Sequence, residues 1–151
     1  PALAQEYLAA SPAQRAAMLP RLDTTSLGDT QTWTTPREID TIEWFGSPQD
    51  MCRAMAGLAQ DAARPSGEPI ATALSMNDAG LLPDPSRYTT VWFKGGSELG
   101  VLTANYRIVA RDGATYVASV MLANPDAAID DNTALPAAQS IIRGALDLAQ
   151  R

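Results

Sequence analysis

The stretch YTTVWFKGGSELGVLTANYRIVARDGATYVASVML, residues 88–122, decides the fold. Tyr88 to Phe93 is β-branched and aromatic, and Val101 to Ala110 and Thr115 to Leu122 repeat that character at hairpin spacing, which predicts three strands. Asp112-Gly113 between the last two is a tight-turn signal, since its glycine accepts a positive φ that side chains resist. Gly95, Gly96 and Gly100 join the first pair. Three antiparallel strands in a meander are expected, with one free edge beside Lys94 and the other along Thr115 to Leu122.

Outward from the sheet the chain reads as helical. On the C-terminal side the loop 124–132 leads into segment 133–150, where Ala134 to Gln150 places Ala138, Ile141, Ile142, Ala145, Leu148 and Ala149 on one helical face. On the N-terminal side Ser47-Pro48-Gln49-Asp50 gives a cap, a first-turn proline and a first-turn acid. Met51, Ala54, Met55, Leu58, Ala59 and Ala62 follow at helical spacing, so 47–63 is an amphipathic helix. Residues 64–87, with four prolines, are a connection with room for a short helical turn. In segment 1–46, Ala2 to Leu22 is helical with a break at Ser11-Pro12, and Asp23 to Gly46 is a long loop carrying Trp33, Trp44 and Phe45. The fold class is α+β, a three-stranded meander with flanking helices in one domain.

Composition excludes several functions. A net charge of −6 and a pI near 4.5 disfavour nucleic acid and anionic membranes, which need basic patches. No run of about 18 apolar residues is present to span a bilayer. The chain has no histidine, so it supplies no His-dependent triad or His-ligated metal site. Asp126, Asp130 and Asp131 lack the alternating spacing of a calcium loop and are expected to cap the final helix; neither metal nor cofactor is expected. The single Cys52 lies beside Met51 and Met55 as a small core residue. Lys94 is the only lysine, and the Gly95-Gly96 after it permits a ligand to approach the strand backbone closely, although Gly-Gly after a strand also reads as a plain turn.

The order of these parts resembles the serine β-lactamase and penicillin-binding-protein superfamily. A Ser-Pro capped helix stands at Ser47 to Leu58. Val91-Trp92-Phe93-Lys94-Gly95-Gly96-Ser97 is similar to the family's lysine-threonine/serine-glycine strand, and Gly100-Val101-Leu102-Thr103, the Asp112-Gly113 hairpin, Tyr116 to Val120 and a closing helix follow in the family's order. The likeness covers residues 45 to 151 and looks closest to actinobacterial, class A β-lactamase-related hydrolases. It implies that residues 1–151 are the C-terminal part of a single β-lactamase-like domain, a truncated piece starting at Pro1, from an extracytoplasmic protein. Lys94 would interact with a substrate carboxylate and help set the proton affinity of nearby hydroxyls. The Ser97 backbone N–H would donate in an oxyanion hole, and Gly95, Gly96 and the Ser97 carbonyl would hold the substrate amide.

Departures from the family pattern matter as much. Gly95 stands where a hydroxyl residue is usual. A serine three residues before a lysine cannot occur, because Lys94 is unique and Val91 precedes it by three, so the nucleophile would lie outside this chain, which alone would be inactive. The family's Glu-x-x-x-Asn is also missing from the loop, where Glu38 and Glu43 are the carboxylates available. Near Trp33, Trp44 and Phe45 either would have a raised pKa and serve as general base, or else be solvated or paired with Arg37. Trp44 and Arg107 complete the substrate-binding candidates, Arg107 as partner of a carboxylate or as a plain strand arginine.

Two further functions stay open. One is a catalytically inert peptidoglycan- or peptide-binding module of the same fold; the other is an unrelated α+β interaction domain. A Lys94 that faces a groove lined by the Trp33 to Phe45 loop fits the family, whereas an isolated surface Lys94 fits the unrelated domain. For the 115–122 edge the expected partner is the missing N-terminal half or a second copy.

Overall fold

The computed structural model describes residues 2–22, 34–42 and 45–150. Its element order is α1 (Ala2–Ala9), α2 (Pro12–Leu22), α3 (Pro48–Ala62), α4 (Glu68–Ser75), β1 (Tyr88–Glu98), β2 (Val101–Ala110), β3 (Thr115–Ala123) and α5 (Asp131–Ala149). The strands form an antiparallel sheet in the order β1-β2-β3. This is the expected meander, mixed α+β, with helices packed against the sheet.

Alternation along the strands separates the two faces. One face turns Val91, Phe93, Ala104, Tyr106, Ile108, Tyr116, Ala118 and Val120 toward α5, where Ile142 and Leu146 join Leu81 and Tyr88 in the main core. The other face carries Trp92, Lys94, Asn105, Arg107, Val117 and Ser119, and α3 lies over its β2 and β3 side. There the Cys52 thiol sits 3.8 Å from the Val117 carbonyl. Cys52 is half-buried rather than a core residue. α4 rests on β1 and against α3.

The caps follow from the sequence. Ser47 accepts the Asp50 N–H at 3.2 Å, and the Asp50 carboxylate accepts the Ser47 N–H at 3.0 Å, a reciprocal capping box opening α3. Ser11 and Gln14 make the same exchange before α2. Between the two helices, Arg15 caps α1 by donating to the Tyr7 and Leu8 carbonyls.

Three boundaries differ from expectation. β1 does not end at Phe93 but runs to Glu98, and the turn falls at Leu99-Gly100. Gly100 has φ 83, and an added Cβ there would stand 2.4 Å from the Asn124 carbonyl oxygen and 2.6 Å from Pro36 Cγ, so both conformation and space require glycine. The connection 64–87 holds an eight-residue helix, α4, where a single turn was expected. α5 begins at Asp131 rather than Ala134, because Asp130 accepts the Asn132 N–H and the Thr133 hydroxyl and so caps it earlier. Its buried face is also rotated. Ala138, Gln139, Ile142 and Leu146 are buried, while Ile141 and Leu148 are 66% and 68% exposed.

Candidate functional site

β1 is an edge strand, and Lys94 is the seventh of its eleven residues rather than its last. Its side chain is exposed and donates to the Gly95 carbonyl at 2.5 Å. Across the ladder Lys94 faces Asn105, and Trp92 faces Arg107. Lys94, Trp92, Asn105 and Arg107 therefore share one face, with Lys94 and Arg107 as diagonal neighbours about 7–8 Å apart at the backbone.

Two observations fix this corner. The half-buried Arg107 guanidinium lies 4.8 Å above the centre of the buried Trp92 ring, a cation–π contact that holds the cation flat against the sheet. Asn105, 5% exposed, donates through Nδ2 to the Lys94 carbonyl at 2.9 Å and accepts the Ser119 hydroxyl at 2.6 Å. A polar chain thus crosses all three strands directly beneath Lys94. No sequence signal singled out Asn105 or Ser119, because a polar residue in a strand ordinarily reads as its solvent side.

Gly95 and Gly96 are strand residues, not a turn. Phe93 lies over Gly95 with its ring centre 4.9 Å from that of Tyr106, and a Cβ on Gly95 would stand 2.5 Å from Phe93 Cζ. Gly96 has room, its nearest contact being Thr103 Oγ1 at 3.5 Å. Gly95, Gly96 and Ser97 help line a groove of about 310 Å³, together with Phe93, Asp131 and Leu135 among others. Ser97 is exposed, opposite Leu102.

The loop before α3 does line a groove, of about 430 Å³, where Ile39, Asp40 and Phe45 meet Glu98, Val101 and Met121. Lys94 is not part of that groove, contrary to expectation, because the extended β1 carries the hairpin end four residues beyond it. The exposed setting of Lys94 is the one expected of an unrelated interaction domain. It is not isolated, however, since Arg107 shares its face. Of the two settings open to Glu38, the structure has the solvent-exposed one. It stands at φ 55, and its carboxylate accepts the Thr41 hydroxyl at 2.6 Å. Glu43, Trp44 and Trp33 lie outside the described residues. Among the described residues no cluster of His, Cys, Asp or Glu suits a metal ion, and no helix is long and apolar enough to cross a membrane.

What the corner offers chemically is two fixed positive charges beside an open strand edge. Neither Lys94 nor Arg107 has a carboxylate partner among the described residues. No family model matches the sequence, and no curated protein matches it.

Proposed function

We propose that this chain is the substrate-side wall of a β-lactamase-like serine hydrolase that acts by acyl transfer on a β-lactam, peptide or ester outside the cytoplasm. The observation that carries the proposal is the pairing of Lys94 and Arg107 on one face of the β1–β2 edge with no acidic partner among the described residues. A substrate carboxylate would lie between ammonium and guanidinium, the guanidinium presenting two parallel donors. The unpaired outer edge of β1 would take the substrate amide as an added strand. Along it, the Ser97 N–H would stabilise the developing oxyanion. The acyl-accepting serine is assigned to a segment outside these 151 residues, because their single lysine cannot form a Ser-x-x-Lys pair.

A second reading, binding of a peptidoglycan or peptide ligand without turnover, is favoured by position 95. The family's hydroxyl is absent there, and the Phe93 ring occupies the space a side chain would need. Titration of the chain with a penicillin, followed by intact-mass measurement, tests what the two readings share. Under either reading the chain binds without acquiring an acyl group; an adduct on any of its serines would overturn the assignment of the nucleophile. In a protein that carries this chain together with a Ser-x-x-Lys segment, Lys94→Ala should lower kcat/KM by about 10²- to 10³-fold under the hydrolase reading. An effect below about threefold would remove Lys94 from the site.

A further inference from the structure

The second edge of the sheet, β3, points to a partner on grounds independent of the proposed hydrolase. Ladder bonds at both ends of the β2–β3 pair, Ala110 N–H to the Ala114 carbonyl and Asn124 N–H to the Gly100 carbonyl, each 2.8 Å, join even-numbered residues. Because antiparallel ladders alternate, Tyr116, Ala118, Val120 and Leu122 bond inward to β2. Thr115, Val117, Ser119, Met121 and Ala123 then direct their N–H and C=O groups outward. Among the described residues the only group hydrogen-bonded to this row is the Cys52 thiol, weakly placed at 3.8 Å from the Val117 carbonyl, although Phe45 and Pro48 stand near Met121 at its end.

The two edges of the sheet are treated differently. β1 carries an irregularity between Tyr88 and Thr90 and the charges of Lys94 and Glu98, which are the usual defences of an exposed edge. β3, with the sequence TYVASVMLA, has no charge, no proline and no break in register with β2. Six successive side chains, Tyr116 to Met121, are already half-buried. An edge without defences is built to be paired.

The strand is also complementary to itself. Antiparallel pairing about a twofold axis at Ser119 sets Thr115 against Ala123 and Val117 against Met121, all of them outward-bonding residues. On the other face Tyr116 meets Leu122 and Ala118 meets Val120, so apolar side chains oppose apolar ones throughout. No charge is opposed to a like charge. Five such pairs supply about ten main-chain hydrogen bonds. The axis stands perpendicular to the sheet, so α5 of each copy lies on the same side and the result is an isologous interface. We propose that β3 pairs with β3 of a second copy of this chain, giving a continuous six-stranded sheet.

Sedimentation equilibrium of the chain should give a mass twice its 16.0 kDa at micromolar concentration. Hydrogen exchange should show the outward amides of Val117, Ser119 and Met121 protected in the dimer and unprotected on dilution to monomer. Met121→Pro removes only an outward N–H, leaving the β2 ladder intact, and should yield a folded monomer by circular dichroism. Thr115→Pro, at the first residue of the strand, is the second variant if Met121→Pro fails to fold. A monomer at all concentrations would overturn the proposal, whether its outward amides exchange freely or are protected by another part of the same chain. So would a dimer whose outward amides exchange freely, or one that persists in both folded proline variants.

Discussion

At position 95 a single methyl group decides the packing of the sheet edge. A Cβ there would meet Phe93 Cζ at 2.5 Å, and that ring is fixed on the other side by Tyr106, whereas a Cβ on Gly96 meets nothing closer than 3.5 Å. Gly95→Ala should therefore destabilise the chain by about 1–3 kcal/mol through overpacking. Gly96→Ala should stay within about 0.5 kcal/mol of the parent. Urea unfolding of the two variants measures the contrast, and equal midpoints would refute it. Lys94 and its glycines were legible as a candidate site because the lysine is unique. Their conformation was not, since Gly-Gly carries the same signal whether it breaks a strand or makes way for a neighbouring ring. Asn105 was invisible for a related reason: whether a strand asparagine faces water or bonds Lys94 and Ser119 depends on which face α3 covers.

Helix ends were more legible than helix faces. The cap, first-turn proline and first-turn acid of α3 stand in four consecutive letters, Ser47 to Asp50, and the structure joins cap and acid in a reciprocal box. The buried stripe of α5 was misjudged, because Ile141 and Leu148 are as apolar as Ile142 and Leu146 and periodicity alone does not choose between them. The choice is made by a polar group: Gln139 turns inward to bond the buried Tyr106 hydroxyl at 3.2 Å, rotating the helix accordingly. The caps also set the response to acid. Hydrogen bonds from the Ser47 N–H and hydroxyl hold the Asp50 carboxyl below the usual carboxylate range, and the Thr133 hydroxyl does the same for Asp130. A carboxyl whose folded pKa is depressed stabilises the fold above its unfolded value and loses that contribution as pH falls through the folded one. Stability should thus decline below about pH 4. Asp50→Asn should flatten part of that decline in unfolding curves; an unchanged slope would show that the box carries no linkage.

Across the whole molecule the layering was readable, because strands alternate with period 2 and the three runs lie at hairpin spacing. Part of its response to alkali lies at the centre of the core. Burial raises the Tyr106 pKa, with the Gln139 hydrogen bond opposing it only in part. A phenol raised in the folded state contributes stability that is complete below its unfolded value of about 10 and is lost as pH rises through the folded one. Tyr106→Phe should therefore show a shallower fall in unfolding free energy as pH rises above about 10 than the parent, and parallel slopes would exclude Tyr106 as the cause. The distribution of charge has a practical side as well. Lys94 is the only side-chain amine in the chain, exposed, and set on one margin of a sheet whose opposite margin is β3. Apart from the α-amine, amine-directed coupling has a single address. Molecules tethered through it to a sensor surface would all be held by the β1 margin, with β3 turned away from the support and accessible to whatever flows past.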